Sequence, residues 1–224
     1  MSRDVALRQY ERWLFDCDGV LLDSNEVKSD AFHRIAMPWG KEKADEFVRY
    51  HKAAGGVSRF VKVRHLVETI LDDVGNEPLI DQLLDEFGIV VKDGLFNAPL
   101  VPGVLEFLEQ IPRDSLRFVV SGGLEGEVRD VLKHKGVLEI FTAVCGSPRN
   151  KVEILTSLDE QYGLGSGIFF GDAAYDGEVA ARFGLDFVFV AGVSEYPSGR
   201  SFFGARGCPV IEDFTELLPG LGDE

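Results

Sequence analysis

Short runs of apolar residues alternate along the chain with longer segments in which apolar positions recur every three to four residues. The short runs, bounded by glycine or polar residues, are typical of strands buried on both faces of a sheet, and the longer segments are typical of amphipathic helices. Strands are predicted near residues 12–16, 117–121, 141–145, 167–171 and 186–190. Because helical segments separate the last four, the pattern predicts an α/β fold with a doubly wound parallel sheet.

The first predicted strand is separated from the second by about a hundred residues with a mainly helical pattern. Helices are predicted near 26–37, 41–53, 58–74 and 77–90. A stretch of this length is too long for an ordinary connection and predicts an inserted α-helical cap domain. We expect residues 24–96 to form the cap, and residues 1–23 and 97–224 to form the core.

Two carboxylates stand where the first apolar run, Trp13 to Phe15, meets a glycine turn. Residues i and i+2 of a strand project the same way, so Asp16 and Asp18 converge beside Gly19. Such a pair repels unless a cation or a shared proton compensates it, which favours a chemical role. The alternative is an Asx-type turn at a strand end.

The stretch Asp16-x-Asp18-Gly19-Val20 with Asp23-Ser24 resembles the first motif of the haloacid dehalogenase-like hydrolases, a superfamily of mostly phosphatases. The resemblance implies a Rossmann-like core and an aspartyl-phosphate intermediate. It assigns Asp16 as the nucleophile, and Asp18 as the group that protonates the leaving oxygen and then activates water. Mg²⁺ is implied as cofactor, because a carboxylate attacks phosphorus readily only when cations screen the phosphate charge.

Two later segments resemble the second and third motifs of the same superfamily. Ser121 and Gly122 follow an apolar run, and a hydroxyl beside free glycine amides suits phosphoryl oxygens. Lys151 follows Ser147-Pro148, a predicted helix start with Ser147 as N-cap, and by resemblance it bridges Asp16 and the phosphoryl group. The alternatives are an ordinary loop at 121–123 and a solvated lysine at 151.

The fourth motif is carried by Gly171-Asp172 and Asp176, which come after the apolar run at 167–170. Hard carboxylate oxygens fit Mg²⁺. The resemblance implies a metal site made of Asp16, the backbone carbonyl of Asp18, Asp172 and, as a further ligand, Asp176. Ala173 replaces the serine or threonine that usually follows the aspartate, so one hydroxyl contact is absent.

Composition narrows the classes of protein. The chain has 224 residues, 45% of them hydrophobic, a formal net charge of −15 and three cysteines without metal-ligand spacing. The net negative charge repels polyanions and argues against nucleic acid as a binding partner. The cysteines indicate a reducing compartment, and no transmembrane or signal segment is expected. The four scattered histidines support neither a zinc site nor a histidine-based triad. We expect a cytoplasmic monomer or small homo-oligomer.

A basic stretch interrupts the acidic composition. Residues 51–65 contain four Lys or Arg and no acidic residue. Within it, the sequence from Gly55 to Arg59 resembles the substrate-specificity loop of β-phosphoglucomutase-like members, and Ser58 is a candidate helix cap. Arg59 and Lys62 lie off the apolar stripe of the following predicted helix, which makes them available for an anion. The alternative is a solvated basic helix face.

These observations predict a Mg²⁺-dependent phosphatase acting on a small phosphomonoester, such as a sugar phosphate or a related metabolite. A sugar phosphomutase is the first alternative, although mutases of the β-phosphoglucomutase type carry a histidine where this chain has Lys28. A non-catalytic phospho-ligand-binding protein is the second. Residues 193–207, rich in glycine and serine, are predicted to form an irregular surface connection.

Overall fold

A computed structural model describes residues 10–218 of the chain. Its centre is a six-stranded sheet in which every neighbouring pair of strands is parallel. The strands are β1 (Arg12–Phe15), β2 (Leu116–Leu124), β3 (Ala143–Ser147), β4 (Gly167–Gly171), β5 (Asp186–Val190) and β6 (Val210–Ile211). Their order is β3-β2-β1-β4-β5-β6, which confirms the predicted doubly wound parallel sheet.

The predicted strands are all present, with differences at their ends. Strand β2 continues three residues beyond its predicted end at 121, and β3 begins and ends two residues later than predicted. Strand β6 was not predicted, because a run of two apolar residues is too short to stand out in a sequence pattern.

Helices cover both faces of this sheet. Between the strands lie α5 (Val104–Gln110), α6 (Glu125–His134), α7 (Lys151–Tyr162), α8 (Ala174–Arg182) and α9 (Gly199–Gly204). Alternate residues of β1 enter different apolar clusters: Trp13 and Phe15 pack on one face with Phe107, and Leu14 packs on the other with Phe118. The sheet is therefore buried on both sides, which explains its nearly continuous apolar strands.

Four main helices form the insertion between β1 and β2. They are α1 (Asn25–Ala36), α2 (Lys41–Ala53), α3 (Arg59–His65) and α4 (Glu77–Asn97). The helix predicted over 58–74 is shorter than expected, because α3 gives way to a π-helical turn at Leu66–Ile70. Helix α4 begins where the Asn76 side chain accepts the N–H of Leu79 at 3.1 Å, and it runs past its predicted end at 90. The domain division at residues 24 and 96 stays a prediction.

Other predictions concern membrane-spanning segments and the state of the cysteines. Over residues 10–218, no helix combines the length and apolar character needed to cross a membrane. The three cysteines of the chain are free, and Cys17, between the two aspartates of the first motif, is buried.

Candidate active site

The carboxyl ends of the strands bring distant motifs together at one edge of the sheet. Strand β1 lies between β2 and β4, at the point where the strand order reverses. Asp16 follows β1 directly and its N–H donates to the carbonyl of Phe170 in β4 at 2.9 Å. Asp172 follows β4 directly. Ligands bind open parallel sheets at such a reversal, so the first and fourth motifs meet where a pocket is expected.

Lys151 joins two buried carboxylates at this edge. Its Nζ lies 2.9 Å from Asp16 Oδ2 and 2.6 Å from Asp176 Oδ1. The second oxygen of Asp176 accepts the N–H groups of Asp172 at 3.2 Å and Ala173 at 3.1 Å. Burial opposes the charged lysine, but the two carboxylates outweigh it and raise the pKa of Lys151 above its ordinary value. Lys151 is therefore a buried cation, and the solvated alternative is wrong.

The helix that carries Lys151 starts differently from the prediction. Ser147 is the last residue of β3, and α7 begins at Lys151 itself with Asn150 as its N-cap. The Asn150 side chain accepts the Glu153 N–H at 2.9 Å, and Glu153 accepts the Asn150 N–H at 2.9 Å. Ser147 as N-cap is therefore wrong, because this reciprocal capping box supplies the helix start three residues later. Lys151 still lies in the first turn, as predicted.

Three carboxylates form a compact acidic group. One oxygen from each of Asp16, Asp172 and Asp176 lies within 4.8 Å of the others, and all three residues are buried. Burial, reinforced by Asp176 and Asp18 against the opposing effect of Lys151, raises the pKa of Asp16 to about 7. Burial and the charges of Asp16 and Asp176 raise the pKa of Asp172 well above its ordinary value. The three carboxylates offer hard oxygen ligands and carry more negative charge than Lys151 can balance. The group therefore fits a divalent cation such as Mg²⁺.

We expect the contribution of Asp16 to the stability of the metal-free protein to fall as pH rises from about 4 to about 7, whereas the lowered pKa of His51 acts in the opposite direction. The pKa of Asp16 is raised from 3.8 to about 7 in the folded chain. Between these values Asp16 holds a proton in the folded protein that it releases in the unfolded chain, so its contribution to the free energy of unfolding falls with increasing pH. Thermal unfolding in EDTA across this range measures the slope.

Asp16→Asn is the control for this experiment, because it removes one titrating carboxyl, and the wild type is expected to lose stability relative to this variant as pH rises. Mg²⁺ is expected to raise the melting temperature more at pH 8 than at pH 5, since deprotonated carboxylates bind the cation. Parallel pH profiles for the wild type and Asp16→Asn, with or without Mg²⁺, would contradict the assignment.

Asp18 has partners of its own, apart from the acidic group. Its side chain accepts hydrogen bonds from Ser24 Oγ at 2.7 Å and from Lys28 Nζ. Burial acts to raise its pKa, but the Lys28 charge and these hydrogen bonds outweigh burial and lower the pKa of Asp18. Asp18 therefore stays ionised beside Lys28. Gly19 adopts a φ of 77°, and a Cβ there would lie 2.2 Å from Asp172 Oδ2, so only glycine fits this turn.

The second motif lies at the end of β2. Ser121 is fully buried, and its Oγ accepts the N–H of Gly123 at 2.9 Å. Gly122 and Gly123 line a pocket together with Asp16, Asp18 and Asp172. The structure therefore places the glycine backbone at the pocket, with the Ser121 hydroxyl bound to one of its amides.

The helical insertion meets the core directly over this pocket. A Cβ added to Gly122 would lie 2.5 Å from the carbonyl oxygen of Gly56, and one added to Gly55 would lie 2.9 Å from the Cβ of Ala173. The loop between α2 and α3 is thus in close contact with the end of β2 and with the loop after β4. The small Ala173 leaves room for this approach.

Arg59 and Lys62 both line the pocket and both are buried. The Arg59 guanidinium donates to both carboxylate oxygens of Glu127 in α6 and lies 4.5 Å from the centre of the Phe87 ring. Lys62 Nζ lies 2.8 Å from His51 Nδ1. The solvated-face alternative is wrong for both residues, and the charge of Arg59 already has a partner inside the protein.

Two further predictions concern α3 and the residues that follow it, namely the Ser58 cap and the apolar stripe. Ser58 stands at the N-cap of α3 but makes no capping hydrogen bond with its side chain. The predicted helix over 58–74 carries an apolar stripe that includes Val63, Val67, Ile70 and Val74. The first three are buried, whereas Val74 is exposed because the helix ends before reaching it.

Residues 193–207 lie largely at the surface between β5 and β6, as predicted, but they are not irregular throughout, because α9 covers Gly199–Gly204, and part of the segment contributes to the pocket. Glu195 and Tyr196 line the pocket, and Ser194 Oγ donates to the Asp172 carbonyl at 2.5 Å. Asn25 Nδ2 links the same loop to the acidic group, donating to Asp172 Oδ2 at 2.7 Å and to the Val193 carbonyl at 3.0 Å. These polar residues follow no spacing that a sequence pattern detects.

The fold and the site define an α/β protein with a ligand pocket at the switch point of a parallel sheet. The model of one family, described as haloacid dehalogenase-like hydrolase, matches residues 13–190. The chain therefore belongs to this family. The matched range contains every residue assigned above to the four motifs, and this confirms the resemblance found in the sequence.

Individual curated relatives match a much smaller part of the chain than the family model does. A curated 2-hydroxy-3-keto-5-methylthiopentenyl-1-phosphate phosphatase from Microcystis aeruginosa is 41% identical over 51 residues, which make up 22% of this chain and 24% of the relative. The chain thus matches about a quarter of that relative's length.

The folds of several solved structures agree with the fold of this protein over nearly the whole chain. A protein from Haemophilus somnus, described as a predicted phosphoglycolate phosphatase, has a TM-score of 0.72 at 20% identity and covers 93% of this chain and 96% of its own. A β-phosphoglucomutase from Clostridium difficile has a TM-score of 0.72 at 16% identity and covers 94% of each chain. At these identities the likeness establishes the fold alone, and it is shared by proteins named for two different activities.

Proposed function

We propose that the protein is a Mg²⁺-dependent phosphatase that hydrolyses a small phosphomonoester through an aspartyl-phosphate on Asp16. The proposal is carried by the 2.9 Å contact between Asp16 and the buried Lys151, beside a pocket that Asp16 and Asp18 line together. A carboxylate held next to a buried cation at a pocket floor is suited to attack an anionic phosphoryl group. Membership of a hydrolase family supports the same reaction class.

In the first step, one oxygen of Asp16 attacks phosphorus and the ester oxygen leaves. Asp18 gives this oxygen a proton, and the negative phosphoryl group arriving beside Asp18 favours the protonated form that the step requires. In the second step, Asp18 takes a proton from water, which attacks phosphorus and releases phosphate and the Asp16 carboxylate. The lowered pKa of Asp18 beside Lys28 suits this second step.

The remaining site residues act on the phosphoryl oxygens. Lys151, the Ser121 hydroxyl and the backbone amide of Gly122 would stabilise the negative charge that spreads over the equatorial oxygens. Asp16, Asp172 and Asp176, with the carbonyl of Asp18, would hold Mg²⁺. Bound there, the cation supplies charge neutralisation for both the acidic group and the phosphoryl group.

The helical insertion is proposed to act as the cap of this site, with residues 24–96 as its range. Its loop at Gly55 and Gly56 closes against the core, so a substrate must be small enough to fit beneath it. A sugar phosphate or a related phosphorylated metabolite meets this requirement. A net charge of −15 disfavours a polyanionic substrate.

Gly122→Ala is expected to reduce kcat/KM by about 10-fold or more, because displacing a site by an ångström has effects of this size. The new Cβ would lie 2.5 Å from the Gly56 carbonyl and would push the insertion away from the core. Gly126→Ala, in α6 with nothing within 4 Å of its added Cβ, is the matched control and should retain activity. Equal activity of the two variants would contradict the role of this close approach.

A phosphomutase is the second candidate, because the fold is shared with a β-phosphoglucomutase. The residue at position 28 bears on this choice. Lys28 donates to Asp18 and stabilises its ionised form, which favours activation of water. We therefore place hydrolysis first.

Phosphate release from a panel of sugar phosphates, phosphoglycolate, glycerol phosphates, nucleotides and an aryl phosphate tests the proposal, with Mg²⁺ and with EDTA. Metal-dependent release is the expected result. Isomerisation of a sugar phosphate that requires a bisphosphate activator, with little phosphate released, would instead establish a mutase. Neither reaction with any compound would indicate a protein that binds its ligand without turnover.

A further inference from the structure

Lys62 is a buried lysine on the wall of the pocket and has no acidic partner, and burial together with the charge of Lys28 lowers its pKa to about 7. It is 4% exposed, and its Nζ lies 2.8 Å from His51 Nδ1 and 5.6 Å from the centre of the Phe32 ring. Among residues 10–218, no carboxylate oxygen lies within the 4.0 Å that defines an ion pair to this Nζ. A buried ammonium without a counter-ion is costly, and an anion bound beside Lys62 would stabilise its charged form, so its place in the pocket wall points to an anionic ligand.

The other cations that line the same pocket are neutralised within the protein. Lys28 pairs with Asp18, Lys52 lies 3.0 Å from Glu195, and Arg59 is held by Glu127. Lys62 differs from all of them within the described part of the chain. Among the described residues that line the pocket, the lack of an acidic partner is thus confined to Lys62 and is not shared by the other Lys and Arg side chains.

His51 adds a second unsatisfied group beside Lys62. When the ammonium of Lys62 donates to Nδ1, the neutral ring carries its own proton on Nε2. That nitrogen is buried without a hydrogen-bond partner, and the nearest acidic oxygen, Glu195 Oε2, is 3.7 Å away. Burial and the surrounding lysines lower the pKa of His51 to about 2, which keeps the ring neutral. Two donors, one charged and one neutral, therefore lie side by side in the pocket lining.

We propose that the leaving group of the substrate carries a second anionic group, a carboxylate or a phosphate, which binds Lys62 Nζ with His51 Nε2 as an additional donor. The inference rests on the proposed function, because it takes the phosphoryl end of the ligand to lie at Asp16. It makes Lys62 a specificity-determining residue, and it makes Arg59 a contact between the insertion and the core.

Equilibrium binding of phosphonates tests this without depending on turnover. Calorimetry in Mg²⁺ compares three series that carry spacers of one to four methylene groups between the phosphonate and the far end: ω-phosphonocarboxylates, α,ω-bisphosphonates and alkylphosphonates. The wild type is expected to bind at least one two-anion series about 10-fold or more tightly than the alkylphosphonates, and the series that wins tells carboxylate from phosphate.

Lys62→Met is expected to abolish this preference while leaving alkylphosphonate binding within about threefold. Lys52→Met is the matched control, because Lys52 lines the same pocket but is half-exposed and paired with Glu195, and it should keep the preference. Lys62→Gln serves if Lys62→Met does not fold. No preference in the wild type for either two-anion series at any spacer length, or a preference that survives loss of Lys62, would overturn the inference.

Turnover separates this inference from the proposed function. If an aryl phosphate is hydrolysed but the phosphonate series bind equally, the phosphatase stands and the second anion site fails. If no phosphomonoester is hydrolysed but the two-anion preference depends on Lys62, the anion site stands and the phosphatase fails.

Discussion

Asp16→Asn is expected to reduce the rate of phosphate release by about 10⁴-fold or more, the order seen when a covalent nucleophile is removed. The amide has nearly the same shape as the carboxylate but is too weak a nucleophile to form the acyl-phosphate. Phosphate release in Mg²⁺ measures the loss, and binding of a phosphonate should survive it. Activity within about tenfold of the wild type would remove Asp16 from the nucleophile role.

The same substitution should not destabilise the metal-free protein above pH 7. Asp16 shares a buried group with Asp172 and Asp176, and its raised pKa records the cost of ionising it there. Replacing the charge by an amide removes part of that repulsion. Asp23→Asn, in the same loop but outside the acidic group, is the control and should change neither activity nor melting temperature appreciably. Lost activity with retained or increased stability separates a chemical role from a structural one.

The parts of this site that could be predicted from the sequence are those fixed by local chain geometry. Asp16 and Asp172 each follow an apolar run directly, and the carboxyl ends of parallel strands share one edge, so their meeting follows from the predicted sheet. Lys151 was placed by motif order. The structure adds that it contacts Asp176 as well as Asp16.

The parts that could not be predicted depend on contacts between residues far apart in the chain. Asn25 reaches Asp172 across 147 positions, and Ser29 reaches Glu195 across 166. No local period or motif records such pairs, because their geometry is set by packing of the insertion on the core. The same holds for Arg59, whose partner Glu127 lies on a helix of the core. A basic stretch in the sequence therefore indicates that cations lie near a site. It does not indicate which of them is left without an acidic partner and can bind a ligand.

Substituting methionine for each of the two most buried lysines of the pocket region should lower the free energy of unfolding by very different amounts. Lys151→Met leaves Asp16 and Asp176 without their shared cation, and breaking a buried ion pair from one side costs about 3–5 kcal/mol. Lys62→Met removes a buried charge that has no acidic partner, but it also leaves His51 Nδ1 without a hydrogen bond, so it should cost clearly less than Lys151→Met.

The loss in Lys151→Met is expected to be larger at pH 8 than at pH 5. Without the lysine, the pKa of Asp16 lies above the value of about 7 that it has beside Lys151. The folded variant therefore holds a proton that the unfolded chain releases, and its stability falls as pH rises. Chemical denaturation at both pH values in EDTA measures the difference. Equal losses for the two variants, or a Lys151→Met loss independent of pH, would show that Lys151 contributes packing volume and not the charge that holds the carboxylates in place.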